Sequence, residues 1–161
     1  AFGLSPRMRF DLTISEFTRD LALGKELLVY DHETWRPYCH VQDFSRLIKI
    51  VLDSPIDKTS FQVFNAGGDD NNATKKMIVD IIASKIPKNK IVYKEQGSDP
   101  RNYRVNFSKV GTKLGFYPKY SIENGIDELL EALNKEFFTN VDSSRDYYGN
   151  YNINLDKFLN E

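Results

Sequence analysis

Residues 28–44 read Leu-Val-Tyr-Asp-His-Glu-Thr-Trp-Arg-Pro-Tyr-Cys-His-Val-Gln-Asp-Phe, and their changes of periodicity decide the fold class. The run from Glu26 to Tyr30 is short, apolar and strand-like. A polar turn follows, and residues 34–41 then alternate in character. If they are extended, Arg36, Tyr38 and His40 share one face while Cys39 and Val41 point to the other. Pro37 lacks a backbone donor, which makes this an edge strand or a strand entry. Beyond it the period changes to helical. Asp43 is placed to cap a helix in which Phe44, Leu47, Ile48, Val51 and Leu52 recur at i, i+3, i+4, i+7 and i+8.

Outward from this stretch, helices and short strands keep alternating. Upstream, residues 1–10 look like a strand end entering a loop. Asp11 is placed to cap a helix carrying Ile14, Phe17 and Leu21, with Gly24 as its stop. Downstream, Pro55 closes the Asp43 helix, and residues 60–65 read as a strand with Phe61 and Val63 on one face. A glycine turn leads to a helix capped by Thr74 and ending before Pro87, and residues 91–93 form another strand. Ser108 is placed to cap a short helix stopping at Gly115. Ser121 caps the last one, with Ile122, Ile126, Leu129, Leu130, Leu133 and Phe137 facing inward. Residues 139–161 are rich in Asn, Asp and Tyr and read as a tail, mobile or loosely docked. The class is α/β or α+β.

The chain has 161 residues, enough for one domain with a real core. Lys plus Arg is 22 and Asp plus Glu is 23, a net charge of −1. That balance argues against a nucleic-acid partner, which needs a surplus of positive charge. No apolar run reaches the length of a membrane span. The single Cys39 excludes an internal disulfide and fits a reducing, cytoplasmic setting.

Several catalytic patterns are missing. No tyrosine has a lysine four residues on, and no Gly-x-Gly-x-x-Gly occurs. There is no Walker loop and no nucleophile elbow. With two histidines and one cysteine, no metal site is expected. The acidic and amide stretch at 65–72 lacks the spacing of a calcium loop and reads as a turn. Two arginines stand out, Arg36 beside Pro37 and Arg101 in a loop after a strand. Each guanidinium has two readings, a fork on a phosphate or a surface pair. The pairs would be Glu33 or Asp43 for Arg36, and Asp99 for Arg101. His40, beside the start of a helix, reads as structural.

Residues 28–44 resemble a signature of the extended short-chain dehydrogenases/reductases, the NAD-dependent nucleotide-sugar epimerases and dehydratases. In that signature a strand ending in an aromatic precedes Arg-Asp/Pro-aromatic-x-His-Val-x-Asp. Three further stretches are similar, in the family's order. They are residues 1–7 (Ala-Phe-Gly-Leu-Ser-Pro-Arg), residues 63–68 (Val-Phe-Asn-Ala-Gly-Gly), and residues 99–118 with Ser108-Lys109 and Leu114-Gly115-Phe116. The resemblance implies the C-terminal portion of such an enzyme: the last Rossmann elements plus a small mixed α/β substrate-binding domain over residues 1–138, with 139–161 as a polar tail. It places the glycine loop for NAD or NADP and the catalytic Tyr/Lys pair before Ala1, so this chain alone is expected to be catalytically inert.

The resemblance also assigns a ligand, a nucleotide-diphosphate sugar. Arg36 would contact phosphate or ribose, Leu28 and Tyr30 would lie along the base, and Tyr38 would stand close by. Asp99 and Arg101 would close over the diphosphate, and Asn65 is a further contact. His40 and Asp43 stay structural. Gln96 stands where many relatives carry another arginine. The whole enzyme is expected to be a homodimer through its other half. Two alternatives remain: a reductase of a non-sugar ketone, and a non-catalytic ligand-binding module with this fold.

Overall fold

A computed structural model describes residues 1–95, 101–142 and 147–149 of the chain. It is a mixed α/β structure with two small sheets. In chain order the elements are α1 (Thr13–Ala22), β1 (Glu26–Tyr30), β2 (Trp35–Pro37), α2 (Val41–Asp53), α3 (Ile56–Thr59), β3 (Asn72–Thr74), α4 (Lys75–Lys85), β4 (Lys90–Lys94), α5 (Ser108–Leu114) and α6 (Ile122–Asn134). Strands β1 and β4 pair in parallel, with Leu28 opposite Val92. Strands β2 and β3 pair antiparallel, with Arg36 opposite Ala73.

The main core lies between α1, α4, α6 and the inner face of β1. Strand β1 alternates strictly: Leu27 and Val29 are buried while Glu26, Leu28 and Tyr30 are exposed. Onto that inner face pack Ile14, Phe17 and Leu21 of α1, Ile78, Val79 and Ile82 of α4, and Ile126 of α6. Each helix presents its apolar stripe at helical spacing, so the hydrophobic effect holds the sheet and three helices as one unit.

The helix starts depart from expectation in an instructive way. Leu12, not Asp11, precedes α1 and makes no side-chain cap, because Asp11 binds Arg9 through both carboxylate oxygens, at 2.9 and 2.5 Å. His40, not Asp43, caps α2: its Nδ1 accepts from the Gln42 amide at 3.1 Å. For α5 the acceptor is Asn106, whose Oδ1 takes both the amide and the hydroxyl of Ser108, at 3.0 and 2.6 Å. Thr74 and Ser121 cap as expected, the latter in a capping box with Asn124. Gly115 ends α5 in the left-handed region at φ 63°.

The strand expected at 60–65 does not form. Phe61 adopts φ 53°, and Phe61 and Val63 are both exposed. A strand needs a hydrogen-bonding neighbour, and none flanks this stretch among the described residues. Ile48 and Leu52 of α2 are exposed as well, so two of the five residues of its expected inward stripe face out. Phe137 is also exposed: α6 ends at Asn134, and Glu136 at φ 54° turns the chain off the helical stripe. The described part of the tail docks more firmly than expected. Tyr148 is buried with Met8, Phe10 and Leu129, and its carbonyl accepts from the Phe10 amide at 2.8 Å.

One close approach fixes how α6 meets the first residues. A Cβ added at Gly125 would lie 2.4 Å from the ring of Phe2, which is buried against His40. Both rings are fully buried. Gly125→Ala should therefore destabilise by about 1–3 kcal/mol, the usual cost of overpacking. A fall of several degrees in Tm would register it, and an unchanged Tm would show that the contact yields freely.

Candidate nucleotide-binding site

The outer face of β1 is the first component. Tyr30 and Leu28 are each little more than a third exposed, side by side at i and i+2. The Asp31 amide bonds Lys94 on the β4 side, whereas the Tyr30 carbonyl accepts from Lys75 Nζ at 2.8 Å. Backbone polar groups alternate sides along a strand, so those of Tyr30 and Leu28 point to the edge of β1 away from β4. The strand thus offers an apolar side-chain wall beside an edge able to form hydrogen bonds.

The second component is β2 with the segment that follows β4. Arg36 is half-buried and oriented twice: it donates to the Trp35 carbonyl at 2.8 Å, and its guanidinium lies 5.5 Å from the centre of the Tyr103 ring. Next to it Arg104 stacks over Trp35 at 4.6 Å. The Trp35 amide donates to Asn102 Oδ1 at 2.9 Å, and the Tyr103 amide to the Trp35 carbonyl at 3.3 Å. These contacts hold residues 101–104 along β2 and bring Arg101 beside Arg36.

Two adjoining clefts result. One, of about 400 Å³, is lined by Leu28, Tyr30, Glu16, Asp20, Glu26 and Lys75, among others. The other, of about 390 Å³, includes Arg36, Tyr38, Arg101, Asp11 and Lys75. Thr13 and Lys75 border both. Their charges are opposed, carboxylates prevailing in the first and cations in the second. The carboxylates are largely engaged, Asp20 by Arg19 and Glu26 by Lys90. Asp11 is held by Arg9, which keeps its carboxyl below the usual range.

Tyr38 is buried at the back of the cationic cleft. Its hydroxyl meets no partner with hydrogen-bond geometry among the described residues, although Thr13 is near. Burial pushes the phenol up to about 12, against smaller opposite effects of Thr13 and Arg36. It stays neutral and able to donate. Cys39 is buried alongside, and burial together with the Asp43 charge pushes its thiol up to about 11. As a thiol it is no nucleophile at neutral pH.

The sequence-predicted residues divide clearly. Leu28, Tyr30, Arg36, Tyr38 and Arg101 come together around the paired clefts. Asn65 lies apart, exposed near α5, donating to the Asn106 carbonyl at 3.2 Å. Asp99 and Gln96 fall outside the described residues. His40 is fully buried: Nδ1 is occupied by the Gln42 amide, so Nε2 carries the proton it shares with Glu128 at 2.9 Å. Tyr120 stacks on the ring at 4.3 Å. Asp43 is equally buried and serves the fold, accepting the Lys119 and Tyr120 amides.

Lys75 was missed by sequence reasoning, as was the part of Trp35, Tyr103 and Arg104 in orienting the arginines. A signal for Lys75 existed. Two lysines directly after a capping threonine oppose the helix dipole, and such a placement asks for another reason. A larger cleft, of about 620 Å³, lies elsewhere, between Leu4, Pro6, Met8, Phe138 and Tyr147. It contains none of the convergent cations.

No protein-family model matches the chain. Solved structures do. A dTDP-glucose 4,6-dehydratase from Bacillus anthracis, in complex with NAD, is 28% identical with a TM-score of 0.69, over 90% of this chain and 44% of that one. A UDP-glucuronic acid 4-epimerase from Bacillus cereus, in complex with UDP-glucuronic acid and NAD, is 20% identical with a TM-score of 0.70, over 83% and 43%. An L-threonine dehydrogenase from Cupriavidus necator is 17% identical with a TM-score of 0.65, over 81% and 48%. The chain thus spans less than half the length of these proteins. Its α/β architecture is the one found in part of the extended short-chain dehydrogenases/reductases. The resemblance to the nucleotide-sugar epimerases and dehydratases of that family is borne out.

Proposed function

We propose that residues 1–138 form the nucleotide-sugar-binding part of an NAD(P)-dependent epimerase or dehydratase, with residues 139–161 as its tail. The observation that carries this is the pair of adjoining clefts, one with an apolar wall and one with convergent arginines. A nucleoside diphosphate has the same two-part character. Its base needs a flat apolar surface with hydrogen-bonding edges, which Tyr30 and Leu28 provide. Its phosphates need convergent charge-assisted donors, which Arg36 and Arg101 provide. The carboxylates that line the first cleft suit the ribose, whose hydroxyls donate. Together the clefts have the volume of an ordinary small-molecule site.

The chemistry of the whole enzyme would be hydride exchange between sugar and nicotinamide, supplied by residues outside this chain. The described residues do not make a dinucleotide cradle. Where a strand runs directly into a helix, at Thr74–Lys75, the junction holds no glycine to let a pyrophosphate approach. Among the described residues no helix is long and apolar enough to cross a membrane. The opposed clefts favour a nucleotide over the small amino acid that names the threonine dehydrogenase.

The test is binding of uridine 5′-diphosphate to the full chain. The diphosphate should raise Tm in a concentration-dependent way, whereas uridine or inorganic phosphate at equal concentration should do so weakly. Equal shifts with phosphate alone, or none with the diphosphate, would refute the proposal.

A further inference from the structure

We infer that Lys75 is a ligand-binding residue of this site, set to hold the phosphate nearest the nucleoside. The inference rests on the nucleotide-binding reading above and assigns a role to a residue that neither the sequence motifs nor the comparisons single out.

The geometry is particular. Lys75 begins α4 directly after the capping Thr74, so its stem leaves the helix where the chain crosses from β3. Its ammonium is tethered to the Tyr30 carbonyl at 2.8 Å, at the end of β1. Lys75 and Thr13 are the residues that border both clefts. In the cleft of Leu28 and Tyr30 it is the only cation among the described lining residues, facing Glu16, Asp20 and Glu26. In the other cleft it joins Arg36 and Arg101.

A ligand with its base on β1 and its terminal phosphate at the arginines must pass this junction. What passes there is the ribose and the first phosphate. An ammonium has three donors, and the Tyr30 carbonyl takes one. Two N–H groups are left for phosphate oxygens, and the tether fixes where they stand. A freely waving lysine would have to lose its rotamer freedom on binding; this one has lost much of it already. The dipole of α4 adds partial positive charge at the same point. The division of labour that follows is specific. Arg101 and Arg36 serve the far phosphate, whereas Lys75 serves the near one and so acts on monophosphates too.

Titration calorimetry of the full chain with uridine 5′-monophosphate and uridine 5′-diphosphate tests this, comparing Lys75→Met, Lys75→Arg and Arg101→Ala. Lys75→Met keeps the stem and removes the charge, and should weaken both nucleotides by a similar factor of about ten, the scale of one charge-assisted hydrogen bond. Lys75→Arg should restore most of the affinity. Arg101→Ala should weaken the diphosphate and spare the monophosphate. A Lys75→Met chain that binds both nucleotides like wild type, while Arg101→Ala weakens the diphosphate, overturns the role of Lys75 and leaves the nucleotide site standing. A wild-type chain that binds neither nucleotide overturns the site and the role of Lys75 with it. The unliganded Tm of each variant separates loss of binding from loss of fold: Lys75→Met that binds weakly only because it is unfolded, with Lys75→Arg folded and equally weak, also counts against the inference.

Discussion

The Asp43→Ala variant is expected to unfold at a much lower denaturant concentration than wild type, with a loss of about 3–5 kcal/mol. The carboxylate is fully buried, and its charge is answered on every side. It accepts the Lys119 amide on both oxygens at 3.0 Å and the Tyr120 amide at 3.0 Å. Arg46, one turn on in α2, completes the set with an ion pair, and its guanidinium also lies over Phe116 at 5.5 Å. Alanine would leave two backbone donors without their acceptor and the Arg46 guanidinium with only the Tyr117 carbonyl, at 3.3 Å. Each of these part-buried amides so stranded costs up to roughly 1–3 kcal/mol. Since a domain is stable by only about 5–15 kcal/mol, such a loss is a large share of the whole. Equilibrium unfolding in urea should show a lower midpoint with an unchanged slope. Asp43→Asn, which keeps one acceptor oxygen, should fall between the two. A loss under about 1 kcal/mol for alanine would show that the helix start rearranges to satisfy these groups.

Arg36→Ala carries the second large effect, on binding rather than on folding. Removing its fork should weaken uridine 5′-diphosphate by about 10- to 150-fold, the value of one strong charge-assisted contact. The loss is expected to be this large because the guanidinium is held in place before the ligand arrives, by the Trp35 carbonyl and the Tyr103 ring. Arg36→Lys keeps the charge without the planar fork or the stacking, and should recover only part of the affinity. Dissociation constants from calorimetry give both numbers. An alanine variant that binds like wild type would move the phosphate site away from β2.

Much of the candidate site's grouping was legible in residues 28–44. Leu28 and Tyr30 alternate with buried neighbours, so period 2 was enough to put them on the outer face. Arg36 was legible as an unusual arginine, yet its orientation was not, because Tyr103 reaches it from nearly seventy residues away in sequence. The caps show the same limit. Asp11 and Asp43 have the composition of cap residues, and each was drawn instead to a stronger partner, Arg9 in one case and two distant amides in the other. Residues 60–65 had the composition of a strand but, among the described residues, no neighbour to pair with. Local propensity cannot report whether a partner exists.

Trp35 is the chain's single tryptophan, and it lies under Arg104 while its backbone is tied to Asn102 and Tyr103. Its indole fluorescence therefore comes from one place only, the strip where the arginine-bearing segment meets β2. A stacked cation and a change in hydration both alter indole emission. Any lifting or tightening of residues 101–104 is thus written in the light of a single chromophore, and the protein carries an optical reporter for the arginine side of the proposed site.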